Sequence, residues 1–295
     1  MKIARVRYEG RVMAARVDGD TVFPVVVEEQ RHMSDAVRDL IADGTAEETL
    51  NGADVTAGMT AGVTGSVTGV PLADVELLSP LAAPQKIVCI GLNYADHIRE
   101  TGLQTPEVPL AFVKTAHCLT GPTAPVRVPR GATEQLDWEA ELAVVIGRTA
   151  RDVSAEDAAS YVFGYTVAND VSARDAQFSD GQWFRGKNFD DFCPLGPWIV
   201  TASDVPDPQG LAISARVNGQ TVQDSSTKEM IFGVSETIAY LSRYMTLHPG
   251  DVIATGTPHG VGMGRDPQLW LRDGDVVEVE VEGIGLLRNP IHVTD

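Results

Sequence analysis

The stretch Asp137-Trp138-Glu139-Ala140-Glu141-Leu142-Ala143-Val144-Val145-Ile146-Gly147 decides how this chain is read. Leu142 to Ile146 is an unbroken apolar run of strand length, closed by a glycine, as expected of a buried strand. Alternate side chains of a strand share a face, so Glu139 and Glu141 point the same way. Two like charges side by side at the mouth of a buried strand repel, and a divalent cation between them is the economical remedy. A third carboxylate, Asp170, ends another strand-like run, Gly164-Tyr165-Thr166-Val167-Ala168-Asn169-Asp170. Three hard oxygen ligands with no Cys or His nearby suit Mg²⁺ or Mn²⁺ better than zinc. Taken alone, the pair fits an edge strand with a solvated acidic face equally well, and Asp137 would extend that face. The surrounding motifs tip the balance.

A chain of 295 residues is long enough for an enzyme-sized core and a small additional domain. No apolar run approaches membrane-spanning length. Met1 to Arg7 reads as a strand and lacks the long apolar core of a signal peptide. Cys89, Cys118 and Cys193 are odd in number and far apart in sequence. They suggest neither a disulfide framework nor a metal motif, and a reducing cytoplasm is the simplest setting. A formal charge of −18 argues against a nucleic-acid partner, because no basic stripe is present to meet phosphates.

Residues 1–27 alternate like a small β-meander, with Glu9-Gly10 and Asp18-Gly19-Asp20 as turns. Ser34 to Leu40 predicts a short helix with Ser34 as its N-cap. Residues 51–70 are rich in Gly, Thr, Ala and Val and read as a loop or linker. A boundary near residue 75 would divide a small N-terminal domain, 1–75, from a larger one, 76–295. In the larger part strand signals dominate: Val75 to Leu78, Lys86 to Ile90, Val126 to Val128, Leu142 to Ile146, Tyr165 to Ala168, Trp198 to Val200, Ile213 to Val217, Val252 to Ala254 and Val276 to Val281. Asn218-Gly219 between two such runs is a strong type I′ hairpin signal. Ser154-Ala155-Glu156-Asp157 resembles a capping box opening a helix. Ser235 to Tyr244 predicts another helix, with Ile238, Leu241 and Met245 at helical spacing. The fold class is therefore α+β and β-rich, not an alternating βα sheet.

Several segments carry candidate chemistry. In Gly91 to Glu100, a short helix after the glycine would place His97 and Glu100 on one face. A carboxylate beside an imidazole fixes its tautomer and raises its basicity, as a general base requires. The spacing alone fits an incidental surface pair better. Arg174 and Gln177 likewise share a helical face, and an arginine near a metal site can grip a carboxylate as a fork. Lys187, in Arg185-Gly186-Lys187-Asn188-Phe189, is one of only five lysines. Its setting suits a partly buried ammonium that stabilises an oxyanion or an anionic substrate. Either cation could instead form a plain salt bridge with the acidic surface. Pro249 to Gly262 reads as a strand entering a Gly-rich loop. Its backbone N–H groups and the Thr257 hydroxyl can hold a carboxylate, although loop glycines are ordinarily turn formers. His259 in this loop can line a pocket.

In order, these segments resemble the fumarylacetoacetate hydrolase family. The matching pieces are Gly91-Leu92-Asn93-Tyr94 through His97 and Glu100, Phe112-Val113-Lys114, Asp137 to Leu142, Asn169 to Asp175, Arg185 to Phe189, Cys193-Pro194-Leu195-Gly196-Pro197, Asn218-Gly219 with Gln223, Thr227 and Met230-Ile231-Phe232, and Pro249 to Gly262. The resemblance implies a mixed β-sandwich or β-roll catalytic fold, a homodimer, and a Mg²⁺ or Mn²⁺ site at Glu139, Glu141 and Asp170. It implies that His97 and Glu100 activate water, and that Arg174, Gln177, Lys187, Thr257 and the adjacent Gly256 meet substrate. Long-chain members carry a further acidic ligand upstream of the histidine. Here Val88-Cys89-Ile90-Gly91 has none, which is similar to the shorter acylpyruvase-like branch. His117-Cys118 stands where small polar residues are expected. The leading activity is hydrolytic C–C cleavage of a 2,4-dioxo acid, with the metal as Lewis acid and Lys187 on the oxyanion. Decarboxylation of oxaloacetate and keto–enol isomerisation are the alternatives on the same site. The expected partner is a small anionic 2-oxo acid.

Overall fold

A computed structural model of the chain describes residues 1–27, 36–51, 63–66 and 68–295. The expected cap Ser34 and most of the expected 51–70 linker lie outside the described residues. The described part of that linker is not all loop: Val63–Ser66 is a strand paired with Thr21–Val27. The helix expected from residue 34 is found at Ala36–Ala42.

Two sheets dominate. The larger runs in the order Val63–Ser66, Thr21–Val27, Arg11–Asp18, Lys2–Tyr8, Cys193–Thr201, Val162–Asn169, Ala140–Ile146, Val252–Ala254, Ile87–Gly91 and Leu110–Lys114, with short strands appended. The smaller runs Val126–Pro129, Gly285–Thr294, Val276–Val281, Ala212–Val217 and Gln220–Ser226. Its hairpin turns at Asn218-Gly219, where both residues have positive φ (50° and 79°), as a type I′ turn requires.

The apolar strand lies inside the larger sheet. It pairs antiparallel with Val162–Asn169 (Leu142 opposite Val167) and with Val252–Ala254 (Val144 opposite Ile253). Leu142, Val144 and Ile146 join a core that contains Ile213, Val277, Val279 and Leu287 of the smaller sheet. Ala143 and Val145 join a second core with Leu40, Ile41, Leu195 and Ile199. The strand is thus buried on both faces, which is what an unbroken apolar run encodes. Each buried Val, Leu or Ile is worth about 1.5–3 kcal/mol, and a one-residue slip would exchange the two faces, so register is firmly set.

The N-terminal meander continues this sheet. Lys2 and Ile3 pair with Val200 and Ile199, and Ile3, Ala14 and Val25 share the core of Ala143 and Val145. At the expected helix start, Ser154 Oγ accepts a hydrogen bond from Asp157 N (3.1 Å). The segment then enters only a 3-10 turn, Ala158–Tyr161, with Ala158 as its one buried residue. With no apolar stripe to bury, the capping signal is not propagated into an α-helix. Val234–Tyr244 is the helix expected there, with Val234, Ile238 and Leu241 buried.

Candidate active site

Glu139, Glu141 and Asp170 meet where the apolar strand begins. All three are buried, and one ligand oxygen from each lies within 4.8 Å of the others. The pairing of Ala140 with Asn169 aligns the two strand ends. Asp170 N donates to Glu139 O (3.0 Å), and Glu139 N donates to the Asn169 side-chain oxygen (3.0 Å). Asp170 itself stands one residue past its strand, which ends at Asn169.

The three carboxylates are not equivalent. Burial, and then the charges of Asp170 and Glu139, push the Glu141 carboxyl well above the usual range. Its hydrogen bond comes from the backbone, Gly256 N, at 2.9 Å. Burial also acts to raise Glu139, but Lys187 and Arg174 outweigh it and hold that carboxyl at about 2. Lys187 Nζ donates to Glu139 Oε2 and Asp170 Oδ2, each at 2.9 Å. Lys114 Nζ donates to the other oxygen of Asp170 and to Val171 O. This convergence of buried oxygens, with one carboxylate disfavoured in its charged form by its neighbours, fits a hard divalent cation. The three side chains can hold a metal ion.

Arg174 lines the same site. Its Nη1 lies 2.7 Å from Glu139 Oε1 and 3.0 Å from Gln177 Oε1, and its Nε donates to Asp137 Oδ2 (2.8 Å). The remaining Nη2 is buried and has no hydrogen-bond partner. His97 and Glu100 lie on the helix Ala95–Thr101, with His97 Nδ1 2.9 Å from Glu100 Oε2. A carboxylate only accepts, so Nδ1 carries the proton and Nε2 is left to exchange one. His97 lies close enough to Glu139 for the two groups to interact electrostatically.

The loop after Val252–Ala254 ties these parts together. Besides Gly256 on Glu141, Thr257 Oγ1 accepts from Gln223 Nε2 (2.8 Å). Gly260 N donates to Glu100 Oε1 (2.8 Å), and Gly262 N and Met263 N donate to Asp137. All ten candidate residues therefore lie on the elements that surround the three carboxylates.

One reading changes. Asp137 does not continue a solvated face; it is fully buried. Its carboxylate accepts from Trp138 N, Gly262 N, Met263 N and Arg174, a charge-assisted knot that seats the arginine. Lys114 had no assigned role, although the scarcity of lysine was a signal. It is buried against Asp170, while the strand carrying it, Leu110–Lys114, is otherwise half-buried or exposed. The three cysteines, distant in sequence, converge near Lys114 and Asp170. Burial pushes the Cys193 thiol up to about 12 and raises the other two, so these thiols stay neutral. His117 turns away, with Nε2 on Asn188 O (2.9 Å) and Nδ1 on Thr115 Oγ1 (2.7 Å).

Comparison with known proteins places the chain among known folds and sequences. The family model for the fumarylacetoacetate (FAA) hydrolase C-terminal region matches residues 86–292. A mitochondrial oxaloacetate tautomerase of Xenopus laevis is 48% identical over 221 residues, covering 74% of this chain and 69% of that protein. A 5-carboxymethyl-2-hydroxymuconate delta-isomerase from Mycobacterium smegmatis superposes with a TM-score of 0.77 at 38% identity, over the whole of both chains. A maleylpyruvate hydrolase from Sphingobium sp. SYK-6, solved with manganese(II) and pyruvate, superposes at 0.80 with 32% identity, again over both whole chains. In sequence and in fold, the chain belongs to the fumarylacetoacetate hydrolase family.

Proposed function

We propose that the protein is a Mg²⁺- or Mn²⁺-dependent enzyme that interconverts the enol and keto forms of a small 2-oxo diacid of the oxaloacetate class. The observation that carries this reading is the His97–Glu100 pair beside the carboxylate cluster, with the buried Arg174 Nη2 left without a partner. A bound divalent ion would polarise the 2-oxo group and lower the cost of negative charge on its oxygen. Arg174 grips a substrate carboxylate through its spare N–H. The Thr257 hydroxyl, which accepts from Gln223 and keeps its own O–H to donate, holds the second carboxylate. His97, oriented by Glu100, takes the enol hydroxyl proton at its free Nε2 as the oxygen lone pair forms the C=O bond. The same Nε2 then returns a proton to C3, where the former C=C π pair makes the new C–H bond. Lys187 balances the charge that develops on the oxygen in between. The reverse direction uses the same groups.

The sequence-based order, with hydrolysis first, is reversed here because the tautomerase relative is 48% identical. Hydrolysis of an acylpyruvate remains the second reading. It is favoured by the suitability of the same histidine for activating water and by the manganese and pyruvate in the maleylpyruvate hydrolase structure. In either case we read the molecule as a cytoplasmic homodimer acting on a small anion.

The test follows the ultraviolet absorbance of enol-oxaloacetate with Mn²⁺, Mg²⁺ or chelator, and in parallel analyses products from acetylpyruvate by mass spectrometry. Metal-dependent loss of enol, with no pyruvate released and a strong reduction in His97→Ala, is expected. Acetate plus pyruvate from acetylpyruvate would replace the tautomerase with the hydrolase. CO₂ and pyruvate from oxaloacetate would make it a decarboxylase.

A further inference from the structure

We propose that His259 and Asp96 form a latch that holds the His97–Glu100 pair in register with the carboxylate site, which makes His259 a positioning residue. Its catalytic consequence rests on the function proposed above; the latch itself does not.

The helix Ala95–Thr101 is seven residues long, too short to persist without tertiary support. Tyr94 and Ile98 anchor one side in the core. The other side is held by polar contacts at both ends. At the start, Asp96 Oδ1 accepts from His97 N (2.7 Å), while Oδ2 meets the Ser225 hydroxyl and His259 Nδ1 (2.9 Å). At the end, Glu100 Oε1 accepts from Gly260 N (2.8 Å). Two consecutive loop residues, 259 and 260, therefore grip the first and last turns of the helix that presents the imidazole.

The base of this grip is rigid. Gly260 has φ +97°, and a Cβ there would lie 2.1 Å from Val222 O. The loop is thus pressed against Gln220–Ser226, the strand that also supplies Ser225. The His259 side chain is about half exposed, at 47%. Its hydrogen-bonding partner is Asp96, not one of the three carboxylates. It acts through Asp96 rather than on substrate. Without the imidazole, Gly260 N on Glu100 and a long His259 N contact to Asp96 Oδ1 (3.4 Å) still tie the loop to the helix, but the first turn loses its shortest link to the loop and can pivot about Glu100. Small displacements of a catalytic group of about 1 Å cost about 100-fold in rate.

The experiment compares wild type with His259→Ala, His259→Asn and Ser225→Ala. Asparagine places an amide N–H near the position of Nδ1. Amide hydrogen exchange of residues 97–102, read on the free protein, is expected to quicken about tenfold in His259→Ala and to return towards wild type in His259→Asn. Ser225→Ala loosens the same carboxylate from its other side and is expected to move exchange in the same direction, by less. On oxaloacetate, His259→Ala is expected to lose about 10–100-fold in kcat with KM changed less than about twofold, and the asparagine variant to recover most of it. The Mn²⁺-induced rise in Tm should persist in all variants, because the three carboxylates are untouched. Exchange in both His259→Ala and Ser225→Ala equal to wild type overturns the latch, whatever the enzyme proves to catalyse. A fall in kcat with unchanged exchange overturns it too, by placing His259 in the chemistry itself. Failure of wild type to act on oxaloacetate or acetylpyruvate would strike the proposed function and leave the exchange result to decide the latch.

Discussion

Arg174 concentrates the site's electrostatics in one side chain. Its Nε and Nη1 contact Asp137, Glu139 and Gln177, and its third nitrogen, Nη2, is buried without a partner. An unmade buried hydrogen bond costs about 1–3 kcal/mol, so an anion that reaches this corner is favoured by that amount. Arg174→Lys keeps the charge but loses the planar fork. It is expected to lower kcat/KM on oxaloacetate by about 100-fold, mostly through KM, in steady-state assays. The next residue offers a test of pH dependence away from the chemistry. Burial acts to raise the Asp175 carboxyl, but hydrogen bonds from Thr133 Oγ1 and the N–H groups of Glu134 and Ala176 hold it below the usual range. The folded protein therefore binds fewer protons at this site than the unfolded chain. Its stabilising contribution is present above the unfolded value, about pH 4, and is lost as pH falls through the lower folded value. Asp175→Asn should flatten the acid limb of the Tm-against-pH curve below about pH 4; a limb as steep as wild type would contradict this.

Among the elements, the loop 255–264 shows what could be read in advance and what could not. Its glycines and Thr257 stood out in the sequence, and the strand before it is where the apolar run Val252 to Ala254 placed it. Its contacts to the carboxylates were invisible, because they run to residues more than 100 positions away: Gly256 to Glu141, Gly262 to Asp137, Gly260 to Glu100. Strand positions were legible because period-2 and unbroken apolar patterns report burial directly. The carboxylate pair was legible for the same reason, as a local departure from that pattern. The buried knot around Asp137 was not, since an isolated aspartate looks alike in sequence whether it is solvated or seats an arginine. Ser154 failed in the opposite way: its local capping signal was real, but no buried stripe followed to extend it. The loop's close packing gives a test at this scale. A Cβ at Gly260 would meet backbone at 2.1 Å with φ at +97°, which no rotamer change relieves. Gly260→Ala is expected to destabilise by about 2–4 kcal/mol and to lower Tm by several degrees in a thermal melt, whereas Gly283→Ala, at a φ of +72° with nothing within 4 Å, should cost less.

At the scale of the whole molecule, the site lies where two cores meet. The strand that begins at Ala140 sends alternate residues into each, and its acidic start is drawn into the interior with them. The continuity of the first strand with Cys193–Thr201 could not be read from the sequence, because pairing partners almost 200 residues apart leave no local trace. In a chain of charge −18, placing Glu139, Glu141 and Asp170 together in the interior requires positive charge. Lys187, Arg174 and Lys114 serve Glu139 and Asp170. Glu141 is left with a backbone N–H, and burial followed by two like-charged neighbours raises its pKa. Metal binding and folding should therefore be coupled through Glu141, with opposite signs in the presence and absence of the ion. With Mn²⁺ at about 100 times its Kd, wild type should gain about 2.7 kcal/mol and melt several degrees higher. Glu141→Gln removes the repelling charge while keeping the shape and a hydrogen-bonding oxygen. In chelator its Tm should equal or exceed that of wild type, and added Mn²⁺ should raise it little. A variant that melts well below wild type in chelator would mean that Glu141 is held by attraction rather than repulsion. A full Mn²⁺ shift in the same variant would remove it from the ligand set.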